Sequence, residues 1–563
     1  MLRKHIRIPS DRSARFPTVR ELFQLSRIAS VRDKRIVLGL GTLAILLFVT
    51  AISLGSSALK VTVPTTGGNF TEGVVGIPRF INPILSTSDT DRDLTALVYS
   101  GLLRPLPDER FELDLAESYS VSPDGRTYTV ILKEDLHWHD GEPITARDVA
   151  FTISMAKSDI VRSPKQANWA GVTVETEGDH KIIFRLSEPY TPFLDNLSMG
   201  ILPEHIWGDV APEALALDRG NISAVGSGPY EISKIKTDND NIPTQITLES
   251  FRNFALGKPH INSVTFKFFP DEDRLVEAYK RGEVDSVYGI SIEKGAELRD
   301  ERLAILPAEL PRRFAIFFNQ NRSTVLADKS VRQALSISTP KQDLVAFALR
   351  GFGTEVGETS PNLDLARSLL DSAGWKIPEG STTREKRGKK LSFSLATSDS
   401  PELTRAASFL SDSWKNLGID VSVKVYEVSD LNTDVIRPRE FDALLFGQLV
   451  GHIEDPYAFW HSGERLDPGL NISGYTNSLA DKALEEIRES QSAEIRRENY
   501  RIFEKEFQAD LPAILLYKPQ YTYIPPSKVQ NLILNPVGSP ADRFLSIYKW
   551  YIQTDRVWNI FSR

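Results

Sequence analysis

Residues 115–153 read LAESYSVSPDGRTYTVILKEDLHWHDGEPITARDVAFTI, and their order predicts a hairpin, an aromatic loop and a capped helix. Ser122-Pro123-Asp124-Gly125 places proline and glycine where a tight turn wants them. Thr127, Thr129 and Ile131 then alternate with Tyr128, Val130 and Leu132, the two-residue period of a strand. After His137-Trp138-His139-Asp140-Gly141, the run Thr145-Ala146-Arg147-Asp148 can cap a helix start, and Val149, Ala150, Phe151 and Ile153 supply the apolar residues that follow.

Beyond this stretch the chain keeps mixing the two periods. Residues 275–279 and 363–370 read as helix, and 261–269 and 419–426 as strand, so the class is α/β. No fixed-period repeat is present, which argues against a solenoid or propeller.

The 115–153 stretch resembles the family 5 extracellular solute-binding proteins, the peptide and nickel binding components of ATP-driven (ABC) importers. Further matches follow in order: VGSGPYEI at 225–232, GKPHINSVTFKFFPDEDRLVEAYKRGEVD at 257–285, KSVRQALSISTPKQDLVAFALRGFG at 329–353 and LDLARSLLDSAGW at 363–375. KNLGIDVSVKVYE at 415–427 and FDALLFGQ at 441–448 extend the series. The resemblance implies a two-lobed periplasmic-binding-protein-like fold with hinge strands and an inserted extra domain in the first lobe. On this chain it places lobe I at 71–105, 225–311 and 516–563, the inserted domain at 106–224 and lobe II at 312–515. Residues 314–319 and 513–517 are the expected hinge crossings. It also implies a monomer that binds a peptide or other small solute, works with ABC permease and ATPase subunits, and needs no cofactor.

With 563 residues and 41% apolar content the chain can bury a large core. Residues 1–35 form a basic tail of net charge +7, leaving −15 for the remainder, so the two parts suit different surroundings. Residues 36–59 carry no charge, long enough to span a bilayer, which takes about 20 residues. Arg27, Arg32, Lys34 and Arg35 crowd its amino-terminal side; the positive-inside bias then keeps the tail cytoplasmic and puts all that follows Lys60 outside the cell membrane, behind an uncleaved single-pass signal-anchor. A cleaved signal peptide is the alternative. Residues 60–70, rich in Thr, Gly and Pro, read as a linker. The absence of cysteine excludes disulfides, thiolate metal sites and a cysteine nucleophile, and also the usual lipid attachment of many relatives. The acidic balance of the outer part argues against nucleic acid as a partner, and the basic run 384–390 reads as a solvated hairpin tip.

No catalytic constellation is present: Gly226-Ser227-Gly228-Pro229 lacks the spacing of a nucleophile elbow, and no H-E-x-x-H occurs. The chain therefore reads as a binding protein and not an enzyme. His137, His139 and Asp140 suggest a metal site, but no third ligand is identifiable at suitable spacing, and the structural reading is preferred. Ligand contacts are expected in 441–460, FDALLFGQLVGHIEDPYAFW, a buried strand running into a loop. Gly447 and Gly451 let the backbone turn or approach a ligand, and Gln448, His452, Glu454 and Asp455 stand at the strand's carboxyl end, where α/β clefts bind. Tyr475 and Tyr99 are aromatic candidates for the cleft wall. In peptide-binding members of the resembled family, an aspartate four residues before the proline of an acidic-Pro pair meets the peptide α-ammonium. Here Asp455-Pro456 matches the pair, but His452 stands at the aspartate's place, which leaves Glu454 or Asp455 to take over. The same substitution opens the alternatives of an oligosaccharide or metal-chelate cargo. A sensor or envelope interaction protein using this fold is a further alternative.

Overall fold

The computed structural model describes residues 30–558 except 59, 108–109, 302, 304, 311, 358–359, 451 and 535–537. Most of the basic tail and Gly451 thus lie outside the described residues. The described residues up to 65 together with 554–558 form one compact unit, and those of 66–553 form another.

In the first unit the helix Val31–Ala58 covers nearly all of the expected span. Among the described residues no helix is long and apolar enough to cross a membrane. The described large apolar side chains of this helix include Ile36, Val37, Leu38, Leu40, Leu43, Ile45, Leu46, Leu47 and Phe48. They are more than half exposed on every face of the helix. Residues 60–70 do not form a plain linker: β1 (Lys60–Thr65) pairs with the last strand, β22 (Gln553–Trp558), because its alternation of Val and Thr suits a two-stranded ribbon.

The strands of the large unit are, in chain order, β2 (Asn69–Val75), β3 (Leu103–Leu106), β4 (Arg110–Leu113), β5 (Ala116–Val121), β6 (Thr127–Leu132), β7 (Val172–Glu177), β8 (Lys181–Leu186), β9 (Tyr230–Thr237), β10 (Pro243–Ser250), β11 (Ser263–Phe269), β12 (Ser286–Tyr288), β13 (Leu306–Glu309) and β14 (Arg312–Phe318). After these come β15 (Gly353–Glu355), β16 (Glu385–Lys386), β17 (Lys389–Lys390), β18 (Ser392–Ser398), β19 (Asp420–Tyr426), β20 (Ala443–Leu449) and β21 (Ala513–Ile524). One long sheet runs in the order β19-β18-β20-β14-β21-β12-β2-β11-β10-β9, with β13 and β15 also on β21. Its pivot is β21. The first half pairs with β14 (Phe317↔Ala513 to Phe314↔Tyr517), and the second half pairs with β12 and β13 (Tyr288↔Tyr523, Glu309↔Gln520). Residues 314–319 and 513–517 therefore lie side by side within the half-sheet β19-β18-β20-β14-β21 (the second half-sheet), and the chain passes between halves just beside them, at Leu310 and along 518–520.

Each half has its own core. Ile316 and Phe318 of β14 face one apolar cluster, and Ala315 and Phe317 face another, all fully buried. A strand covered on both faces needs an unbroken apolar run, which RRFAIFF supplies from Phe314. Between β2 and β9 the chain adds a hairpin, β3–β4, and an antiparallel sheet, β5-β6-β8-β7. The 115–153 stretch sits here. Gly125 takes φ +68° in the turn, Tyr128, Val130 and Leu132 face the core, and Thr145 with Asp148 forms a capping box on the helix Ala146–Lys157.

A fully buried ionic cluster joins the beginning and end of the large unit. Arg543 holds both oxygens of Asp93 at 2.6 Å and Glu72 at 3.1 Å, and its guanidinium lies 4.0 Å from the Tyr288 ring centre. Ser286 and Tyr523 donate to Glu72. Burial pushes the Asp93 carboxyl up, to about 7, against the pull of Arg543, and raises Glu72 likewise.

Candidate functional site

A cavity of about 1270 Å³ lies between residues 83–200 with 538–545 on one side and the ends of β14 and β20 with the loop after β20 on the other. It exceeds the 300–1,000 Å³ typical of drug-sized ligands, so it has room for an oligomeric one. Its walls come from the helix Asp89–Val98 and the following turn, from 165–200, from the start of β14, from the end of β20 with its loop, and from the end of the helix Ser478–Glu489.

Of the candidate residues, Tyr99, Gln448, His452, Glu454 and Asp455 all line this cavity; Tyr475 does not. Tyr475 is buried in the core beneath the second half-sheet, and its hydroxyl donates to Asp510 at 3.1 Å. Tyr99 caps the helix Asp89–Val98, its N–H donating to the Thr95 carbonyl at 2.9 Å; its own hydroxyl is buried without a hydrogen-bond partner among the described residues. Gly447 makes room for protein rather than ligand. A β-carbon there would stand 2.9 Å from the Phe314 ring, which stacks on Tyr517.

The loop carboxylates are both engaged by arginines that carry no local sequence signature. Glu454 accepts from both terminal nitrogens of Arg313 (2.9 and 3.4 Å) and from the Tyr500 hydroxyl (3.1 Å). Asp455 lies 3.5 Å from Arg488 through one oxygen, while its other oxygen is buried with no hydrogen-bond partner among the described residues. Burial raises the Asp455 carboxyl, with Arg488 holding it back in part. Gln448 stands directly opposite Arg313 across the β14–β20 ladder.

His452 turns out of the loop and spans the cleft. Its Nε2 donates to the Arg110 carbonyl at 3.1 Å and its ring packs 4.8 Å from Phe111, which fixes the tautomer and leaves Nδ1 as a buried acceptor with no partner among the described residues. Desolvation holds this imidazole down, at about 4, so it is neutral at pH 7. Three more contacts close the same side. The Ile453 N–H donates to Asp195 (2.9 Å), the Thr191 N–H donates to the Arg488 carbonyl (2.9 Å), and the Arg488 guanidinium sits between the rings of Tyr190 (5.0 Å) and Tyr457 (4.2 Å).

The 137–140 loop is structural. His139 Nε2 donates to the Gly228 carbonyl while its Nδ1 accepts from the Gly226 N–H, and His205 pairs with Asp140 at 2.9 Å. Burial holds His139 down, at about 4. Gly226 and Gly228 press against the end of the helix Asp89–Val98, where a β-carbon would stand 2.0–2.5 Å from carbonyl oxygens. Among the described residues no group of three or more His, Cys, Asp or Glu is placed to hold a metal ion.

Comparison with known proteins gives a consistent picture. The family described as bacterial extracellular solute-binding proteins, family 5, matches residues 110–465. The oligopeptide-binding protein AppA of Bacillus subtilis is 27% identical over 513 residues, covering 87% of this chain and 92% of AppA. The structure of B. subtilis AppA in complex with a nonapeptide superposes with a TM-score of 0.64 at 26% identity, covering 87% of this chain and all of that one. HbpA2 from Haemophilus parasuis shares the fold with a TM-score of 0.74 at 21% identity, covering 86% of this chain and 100% of HbpA2.

Proposed function

Since the chain belongs to family 5 of the bacterial extracellular solute-binding proteins, we propose that it captures peptides outside the cytoplasm and delivers them to an ATP-driven importer. One observation carries this reading: a cavity of about 1270 Å³ whose lining residues include Tyr99, Arg313, Gln448 and Asp455, each with a buried polar atom that has no hydrogen-bond partner among the described residues. The likeness to a protein solved with a nonapeptide supports the peptide class. The free oxygen of Asp455 is the acceptor for a peptide's α-ammonium, in place of the carboxylate that His452 cannot supply. Glu454 is less suited, because Arg313 and Tyr500 already take three of its acceptor positions. Binding at both walls favours the closed arrangement, and an importer reads that shape.

The unpartnered Nδ1 of His452 supports a second reading, a non-peptide solute such as an oligosaccharide whose hydroxyl donates to it. Native mass spectrometry of the full-length protein in detergent, followed by denaturation, separates the two. A heterogeneous set of released peptides is the expected result; a single sugar or metal chelate would replace the peptide assignment.

The uncharged segment 36–59 behind Arg32, Lys34 and Arg35 supports retention as a single-pass anchor. The full chain then stays with membranes after alkaline carbonate washing, and release into the wash would remove the anchor.

A further inference from the structure

Two residues of the cavity lining carry buried N–H groups that have no hydrogen-bond partner among the described residues. Gln448 and Arg313 are directly opposed in the antiparallel pair β14–β20, so their side chains leave the same face of the sheet. Gln448 is 7% exposed, and its Nε2 is buried with no hydrogen-bond partner among the described residues. Arg313 gives its two terminal nitrogens to Glu454, while its Nε, also buried, has none. Both residues line the cavity. The local charge is already balanced, since Glu454 faces the Arg313 guanidinium at 2.9 Å and Tyr500 donates to the same carboxylate. What remains is a pair of N–H donors with no net charge to offer. A ligand carboxylate brought here would meet Glu454 as a like charge across a guanidinium already engaged; a neutral oxygen meets no such opposition.

Resting on the peptide reading above, we propose that Gln448 and Arg313 form a donor pair that receives one main-chain amide carbonyl of the bound ligand, and that this pair selects amide-bearing ligands over equally sized ligands lacking an acceptor at that point. The pair is a specificity element distinct from the Asp455 corner: it reads a neutral oxygen, where Asp455 reads a positive charge. Tyr99, whose hydroxyl also has no partner among the described residues, stands on the opposite wall.

The test is a double cycle between protein and ligand. Full-length protein in detergent is titrated calorimetrically with the tightest member of a pentapeptide library and with its thioamide series, in which each carbonyl in turn becomes a poorer acceptor. One thioamide, and not the others, weakens binding to the wild type by about tenfold, the size of one well-made hydrogen bond. Gln448→Met, which keeps the side-chain volume, loses a similar factor for the parent peptide and loses little more with that thioamide. Wild-type affinity in Gln448→Met, or fully additive losses, overturns the donor pair while leaving peptide capture intact. A scan of the wild type in which no single carbonyl stands out does the same without any variant. Binding of no library member overturns the peptide reading and this proposal together.

Discussion

Replacing Arg543 by Met isolates the buried ionic cluster. The wild-type guanidinium is fully enclosed, bonded to both oxygens of Asp93 and to Glu72. Methionine keeps an apolar stem against Tyr288 and Phe544 but leaves two carboxyls buried without their cation. Removing one partner of a buried pair costs about 3–5 kcal/mol. The large unit holds roughly 490 residues, and at ~2.1 cal/mol/K per residue its unfolding entropy is about 1 kcal/mol/K, so the expected fall in Tm is about 3–5 °C if it melts as one unit. The pH dependence is the sharper test. Burial raises Asp93 from its ordinary 3.8 to about 7 even with Arg543 present. Between those values the native state binds a proton that the unfolded state does not, so stability falls as pH rises through the window. Without the guanidinium both carboxyls rise further and the window extends upward. The R543M deficit measured by differential scanning fluorimetry is therefore smaller at pH 5.5 than at pH 8. A variant within 1 °C of wild type at pH 8, or a deficit equal at the two pH values, would refute the reasoning.

Arg488→Ala removes the cation between Tyr190 and Tyr457 and the counter-charge of Asp455; at about 1–2 kcal/mol for such a partly desolvated contact, the ligand-free closed population drops about 5- to 30-fold. Small-angle scattering reads this as a larger radius of gyration, and an unchanged radius counts against the closure role. His139 and His452, both held down at about 4 by desolvation, stay neutral from pH 8 to 6, and their ring resonances should show no inflection near 6.5. Because the unfolded chain takes up protons first, both histidines contribute stability that is complete above pH 6.5 and lost as pH falls towards 4. Gly447→Ala sets a methyl 2.9 Å from the Phe314 ring, and the resulting overpacking costs about 1–3 kcal/mol, read as a lower Tm. Wild-type stability in that variant would mean that Phe314 shifts freely.

The 115–153 stretch was legible because its signals are local. A turn fixed by Pro and Gly, a period of two and a capping pair three residues apart all act within a few residues. The loop after β20 was legible as a place but not as chemistry. Glu454 meets Arg313 from 141 positions away, and neither arginine that engages the loop carboxylates has any pattern around it. Tyr475 shows the reverse problem, since an aromatic just after a Ser-Gly turn reads alike whether it faces a cleft or a core, and its burial with a bond to Asp510 decides. Gly447 was legible as a close approach but not as to what approaches; the Phe314 ring came from another strand. Residues 60–65 looked like a linker because their partner strand lies at the far end of the chain.

That distance has a consequence for the order in which the molecule is made. Glu72 waits 471 positions and Asp93 waits 450 positions for Arg543. At ~5–20 residues per second of synthesis the delay is on the order of 25–90 s. Until the final segment emerges, Glu72 and Asp93 lack the cation that the native cluster gives them. Closure of this buried cluster is therefore open to the large unit only once nearly all of its chain is present.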